Sequence, residues 1–183
     1  MAVVIDGTNG ISSPDYEVDG VTGQVYPVVS GTAVTASGTS VNFTGIPSWV
    51  KRITVMIVGV STAAAGVARI RVGTSSGLVT TGYEGGSITN TTAPANGATS
   101  LASAPEGIAA FSTTSGATVV HGIFTVCNVT GNTWAGSGSV YRSGDSIAMY
   151  SNGNIALSGV LDRISVVATT STFDAGTINI LYE

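Results

Sequence analysis

The sequence predicts an all-β protein: an antiparallel β-sandwich of jelly-roll-like form, preceded by an extended N-terminal arm. Three observations carry that reading. Short runs rich in β-branched residues recur from residue 39 to the end, clusters of Gly, Asn, Asp and Ser separate them, and no window shows a capped apolar repeat of helical period. β-Branched side chains are stiff at χ1 and suit a pleated surface, and many short strands with frequent turns are the pattern of sandwiches and barrels.

In chain order, residues 1–36 differ from the rest of the chain. Asp6-Gly7, Asn9-Gly10, Ser13-Pro14 and Asp19-Gly20 put a turn signal every few residues, with only brief apolar pieces between them. This segment reads as an arm for docking and oligomer contacts, able to pair with a neighbour's sheet edge through Val3, Val4, Ile5 and Ile11. Residues 37–183 form the sandwich domain. Its strands are expected at 39–43, 53–61, 67–72, 107–113, 118–127, 132–140, 146–151, 154–157, 163–169 and 177–182, with turns between them such as Thr130-Gly131-Asn132 and the run Ser151 to Asn154. In the run ITVMIVGV after Lys51 and Arg52, Thr54 points opposite Ile53 and Val55, and beyond Met56 both faces are apolar. One face then meets the core and the other a second layer or a neighbouring chain. Lys51 and Arg52 read as gatekeeper charges before an aggregation-prone strand. Residues 78–106 lack a sustained apolar pattern and read as a long surface excursion between core strands.

Composition narrows the function. With 183 residues the chain fits one domain plus an arm. Only 9% of residues are charged against 43% apolar, and the mean hydropathy is +0.41, so part of the exterior is expected to be hidden in an assembly. Six basic residues and a net charge of −4 give no cationic surface, which disfavours nucleic acid. The N-terminus lacks the basic region of a secretory signal, and no apolar run reaches the ~20 residues of a spanning helix, so neither export nor membrane insertion is expected.

The search for chemistry yields no catalytic, cofactor-binding or metal-binding set, and the chain is read as a non-enzyme. His121 is the only histidine and lies inside a strand, so a multi-histidine metal site is out of reach and a triad has no nameable partner. Cys127 is the only cysteine; strand parity puts it on the face of His121, ~20 Å away, and it reads as a small buried hydrophobe. Asp145, Asp162 and Asp174 sit in turn contexts where local backbone bonds occupy a carboxylate. Trp134 reads as core. Tyr83, Tyr141 and Tyr150 are the candidate surface contacts, aromatic rings among hydroxyls and amides on which a glycan could stack.

The segments TASGTSVNFTGIPSWVKRITVMIVGVS (35–61) and LDRISVVATTSTFDAGTINILYE (161–183) resemble the bracketing strands of β-rich tail-fibre and related virion proteins of tailed bacteriophages and prophages. The opening VIDGTNGISSP is similar to the arm that precedes such modules, whereas residues 62–160 carry hardly any likeness. The resemblance implies a virion structural component, a tail or head fibre or appendage protein that docks by its arm and presents the sandwich outward. It implies a homo-oligomer, with a trimer expected, and other virion proteins such as capsid, portal, tail or fibre base as partners. The particle would be assembled in the host bacterial cytoplasm. It transfers no catalytic or receptor-contacting residue. A capsid decoration (cement) protein and a host-glycan-binding module are the alternative expectations.

Overall fold

The computed structural model describes residues 27–90, 106–144 and 146–183, and beyond them only the backbone of five short strands. Four of those five form two hairpins, β1 (Val4–Asp6) with β2 (Gly10–Ser12) and β3 (Tyr16–Val18) with β4 (Val21–Gly23). The body follows with β5 (Val29–Ser30), β6 (Val34–Thr35), β7 (Ser40–Thr44), β8 (Arg52–Thr62), β9 (Gly66–Thr74), β10 (Gly77–Leu78) and β11 (Glu84–Asn90). After these come β12 (Ala98–Leu101), β13 (Ala109–Thr113), β14 (Val120–Thr130), β15 (Thr133–Arg142), β16 (Ile147–Ala156), β17 (Arg163–Ala168) and β18 (Phe173–Tyr182).

These strands make two antiparallel sheets. The larger runs β12-β11-β16-β15-β14-β8-β18, with β5 and β6 both paired to the far side of β18. The smaller runs β10-β9-β17-β7, with β13 sharing the β9 edge with β10. The chain changes sheet at β6 to β7, β7 to β8, β8 to β9, β10 to β11, β12 to β13, β13 to β14, β16 to β17 and β17 to β18, so neighbours in sequence often face each other across the core in a sandwich.

Alternation decides what fills that core. In β8, Ile53, Val55, Ile57 and Val60 are buried, while Thr54 and Met56 are half-buried and Val58 is exposed on the other face. In β9, Ala68, Ile70 and Val72 point inward, and Arg69 and Arg71 point outward to share the Glu106 carboxylate at 3.3 and 3.6 Å. Phe111 of the small sheet and Phe124 of the large one stack with ring centroids 6.3 Å apart, a contact that joins the layers. The register of β8 against β14 slips between Ile57 and Val60, where Gly59 takes a φ of +67°, a conformation glycine adopts without a Cβ penalty.

A row of inward-facing glycines shapes the other half of the large sheet. Gly85, Gly153 and Gly136 stand in register on β11, β16 and β15. Ile108, fully buried just before β13, covers two of the three: a methyl group added at Gly136 would lie 3.2 Å from its Cγ1, and one at Gly153 only 2.7 Å from its carbonyl oxygen, whereas at Gly85 the β16 backbone at Asn152 and Gly153 takes the space.

Three sequence expectations are corrected here. Residues 78–106 are not simply a surface excursion, since Glu84–Asn90 joins the large sheet through β16. That strand turns Gly85, Ser87 and Thr89 inward and its one large apolar residue, Ile88, outward, so it lacks a hydrophobic alternation to detect. The run SNGN is not a turn: Asn152 and Asn154 face outward within one ten-residue strand, and the glycine between them is the one that Ile108 requires. Finally, the stretch 29–35 within the segment read as an arm lies along β18, where the Gly31 N–H donates to the Ile180 carbonyl at 2.8 Å and Val34 packs against the core.

Candidate functional site

The outer face of the large sheet is where this fold concentrates unusual surface. Because the strands are in register, outward side chains align in rows that cross the sheet. One row runs Ile88, Tyr150, Ser139, Ile123, Met56 and Asn179 across six strands. The next runs Gly86, Asn152, Ser137, Thr125, Thr54 and Leu181. Neither row holds a charged side chain; Glu84 and Arg52 appear only in the row beyond, at one end of the face. Ile88, Tyr150 and Ile123 remain 47%, 49% and 55% exposed, and Val58 reaches 61%. Single exposed hydrophobics are ordinary, but several clustered in charge-free rows mark a contact surface.

The face has relief. Along β15 the outward residues Ala135, Ser137 and Ser139 are small, while the flanking strands raise Tyr150, Asn152 and Asn154 on one side and Ile123 and Thr125 on the other. The result is a shallow trough over β15, lined by Ile123 and Thr125 on one side and Tyr150 and Asn152 on the other, which at Ala135 adjoins a second depression reaching across β16 between Asn152 and Asn154 to Glu84 of β11. With strands about 4.8 Å apart, it spans about 10 Å between β14 and β16.

The tyrosines read from the sequence divide. Tyr141 and Tyr150 are both half-exposed on this face; Tyr150 stands opposite Ser139, and Tyr141 lies two residues farther along β15. Tyr83 is corrected from a surface contact to a core residue, only 4% exposed. Its hydroxyl accepts from the Val72 N–H at 3.0 Å and lies 2.9 Å from the Val79 carbonyl oxygen, while burial raises the phenol to about 12. A phenol placed to satisfy backbone groups is drawn into the core with its ring.

The remaining candidates separate into structural roles. His121 is exposed on the outer face, where its Nδ1 accepts the Gly59 N–H at 3.2 Å. Cys127 is half-buried on the same outer face rather than in the core, because it faces Ala135 and Arg52 across the neighbouring strands. Asp162 pairs with Arg163 at 2.9 Å. Asp174 is no turn cap: its carboxylate accepts the Ser61 hydroxyl at 2.5 Å across two strands. Arg52 is ion-paired with Glu183. Trp134 is buried in the core. Asp145 and Val3 lie outside the described residues, as do the side chains of Val4, Ile5 and Ile11, whose backbones pair within the first hairpin.

What the sequence reading missed on this face are Asn152, Asn154 and Ile88. The first two were hidden by an Asn-Gly-Asn run that mimics a turn; the third was the outward residue of an unrecognised strand. Among the described residues no three His, Cys, Asp or Glu side chains group together, and no helix is long and apolar enough to cross a membrane. Comparison of the chain with protein-family models, curated proteins and solved structures finds no match in any of the three.

Proposed function

We propose that this chain is a structural component of a tailed-phage virion, a tail or head fibre or appendage protein that docks by its N-terminal arm and presents the sandwich outward. The observation that carries the reading is the pair of charge-free rows on the outer face of the large sheet, with Ile88, Tyr150 and Ile123 exposed in one row and Val58 exposed nearby on β8. A face of that composition is suited to contact with other molecules rather than to catalysis, and it is held on a wide, regular sheet. The sparse charge of the whole chain supports self-association as well, through the adjoining Met56, Val58 and Ile123, in a homo-oligomer for which a trimer is the expected form.

Immunogold labelling of phage particles carrying this protein tests the assignment. Label at the tail or at discrete head appendages is the expected result; even label over the capsid shell would favour the decoration reading, and unlabelled particles would contradict both. Removing residues 1–26, which stops short of β5, is expected to leave the body folded and to abolish incorporation. Unimpaired incorporation would remove the arm from the account.

A further inference from the structure

We propose that the trough along β15 binds an uncharged, extended carbohydrate chain. This inference rests on the outer face being a contact surface, and it names what part of that surface contacts. The trough lies on the face of a sheet whose backbone groups are already paired between strands, so an occupant meets side chains alone. That disfavours a peptide held by strand addition, which needs a free sheet edge.

The side chains themselves select the chemistry. Ser137, Asn152 and Asn154 make no side-chain hydrogen bond within the described residues, leaving hydroxyl and amide groups free to donate and accept. Tyr150 of β16 adds a half-exposed ring beside them, and Tyr141 adds a second near the end of β15. Rings that offer an apolar face next to unpaired amides suit a sugar, whose C–H faces stack while its hydroxyls bond. No Lys or Arg lines the trough, and the one charged side chain beside it is the Glu84 carboxylate, so phosphate, sulfate and carboxylate ligands find no counter-charge there. A width of about 10 Å and a length of about 14 Å from Ala135 to Ser139 accommodate a single linear chain of several rings rather than a branched or globular partner.

The test uses the full-length protein on an array of neutral, carboxylated and sulfated oligosaccharides, followed by calorimetric titration with cellotetraose, maltotetraose and chitotetraose. Neutral chains are expected to bind. Tyr150→Ala and Asn152→Ala should each weaken binding at least about tenfold, Ser137→Trp should abolish it by filling the floor, and Val129→Ala, at the exposed hairpin end, should leave it unchanged. Tyr150→Phe keeps the ring and should retain binding, which separates loss of stacking from loss of fold. An array silent for neutral chains, binding confined to charged ones, or affinity indifferent to the trough substitutions would each overturn the proposal. Particle incorporation without neutral-glycan binding would sink this inference alone, and glycan binding by a protein absent from particles would sink the virion reading alone.

Discussion

The Tyr83 hydroxyl serves both backbone groups of Val72, accepting from its N–H at 3.0 Å and lying 3.1 Å from its carbonyl oxygen. This fastens the segment leading into β11 to the edge of β9, where the Val79 carbonyl offers a further acceptor at 2.9 Å. Tyr83→Phe leaves the buried Val72 N–H without this partner, a loss of about 1–3 kcal/mol. Urea denaturation should show a lower midpoint with an unchanged slope.

The same phenol gives a pH dependence whose sign is fixed. Burial, the largest cause, raises Tyr83 from 10.0 to about 12, against smaller lowering effects from the Val72 hydrogen bond and the Arg71 charge. The folded state therefore holds the proton more tightly than the unfolded chain does. Its stabilising effect is fully present below pH 10 and is lost as pH rises through 12, by about 2–3 kcal/mol in all. Midpoints measured from pH 9 to 12 should fall more steeply for the native sequence than for Tyr83→Phe.

Ile108 and the glycine row give two substitutions that should differ in kind. Gly136→Ala brings a methyl group within 3.2–3.3 Å of Ile108 side-chain atoms, whereas Gly153→Ala puts it 2.7 Å from the Ile108 carbonyl oxygen and 2.9 Å from that of Glu84. Both should destabilise, by about 1–3 kcal/mol or more. Trimming the side chain relieves only the first contact. A double-mutant cycle with Ile108→Ala should show favourable coupling to Gly136→Ala and little to Gly153→Ala, read from thermal or urea unfolding.

The two-layer β architecture was legible because its strands obey simple alternation: Arg69 and Arg71 against Ala68, Ile70 and Val72, or Ile178 and Ile180 against Thr177 and Asn179. It failed where packing inverts the rule. In β11 the inward positions are Gly85, Ser87 and Thr89, and in the middle of β16 they are Ser151 and Gly153, where the Ile108 carbonyl leaves no room for a side chain at Gly153; those residue types otherwise signal turns. The contact face was half legible for the same reason. Tyr141 and Tyr150 announce themselves as aromatics in strands, but their partners Asn152 and Asn154 acquire meaning only once the strand pairing is known. Tyr83 was misplaced because nothing local in LVTTGYEGG reveals that its hydroxyl reaches back to Val72.

Val58 and Ile123 offer a direct handle on self-association, being exposed, outward and close to Met56. Val58→Lys adds a charge without touching the core, so the thermal midpoint should stay within a few degrees while any copy-to-copy contact there weakens.

Whether this charge-poor surface is covered by other chains is decided most simply by the solution mass, from size exclusion with light scattering at micromolar concentration. A multiple of the 18.2 kDa chain is expected for the native sequence, reduced toward one chain in Val58→Lys. A folded native protein at 18.2 kDa throughout that range would overturn the covered-surface reading.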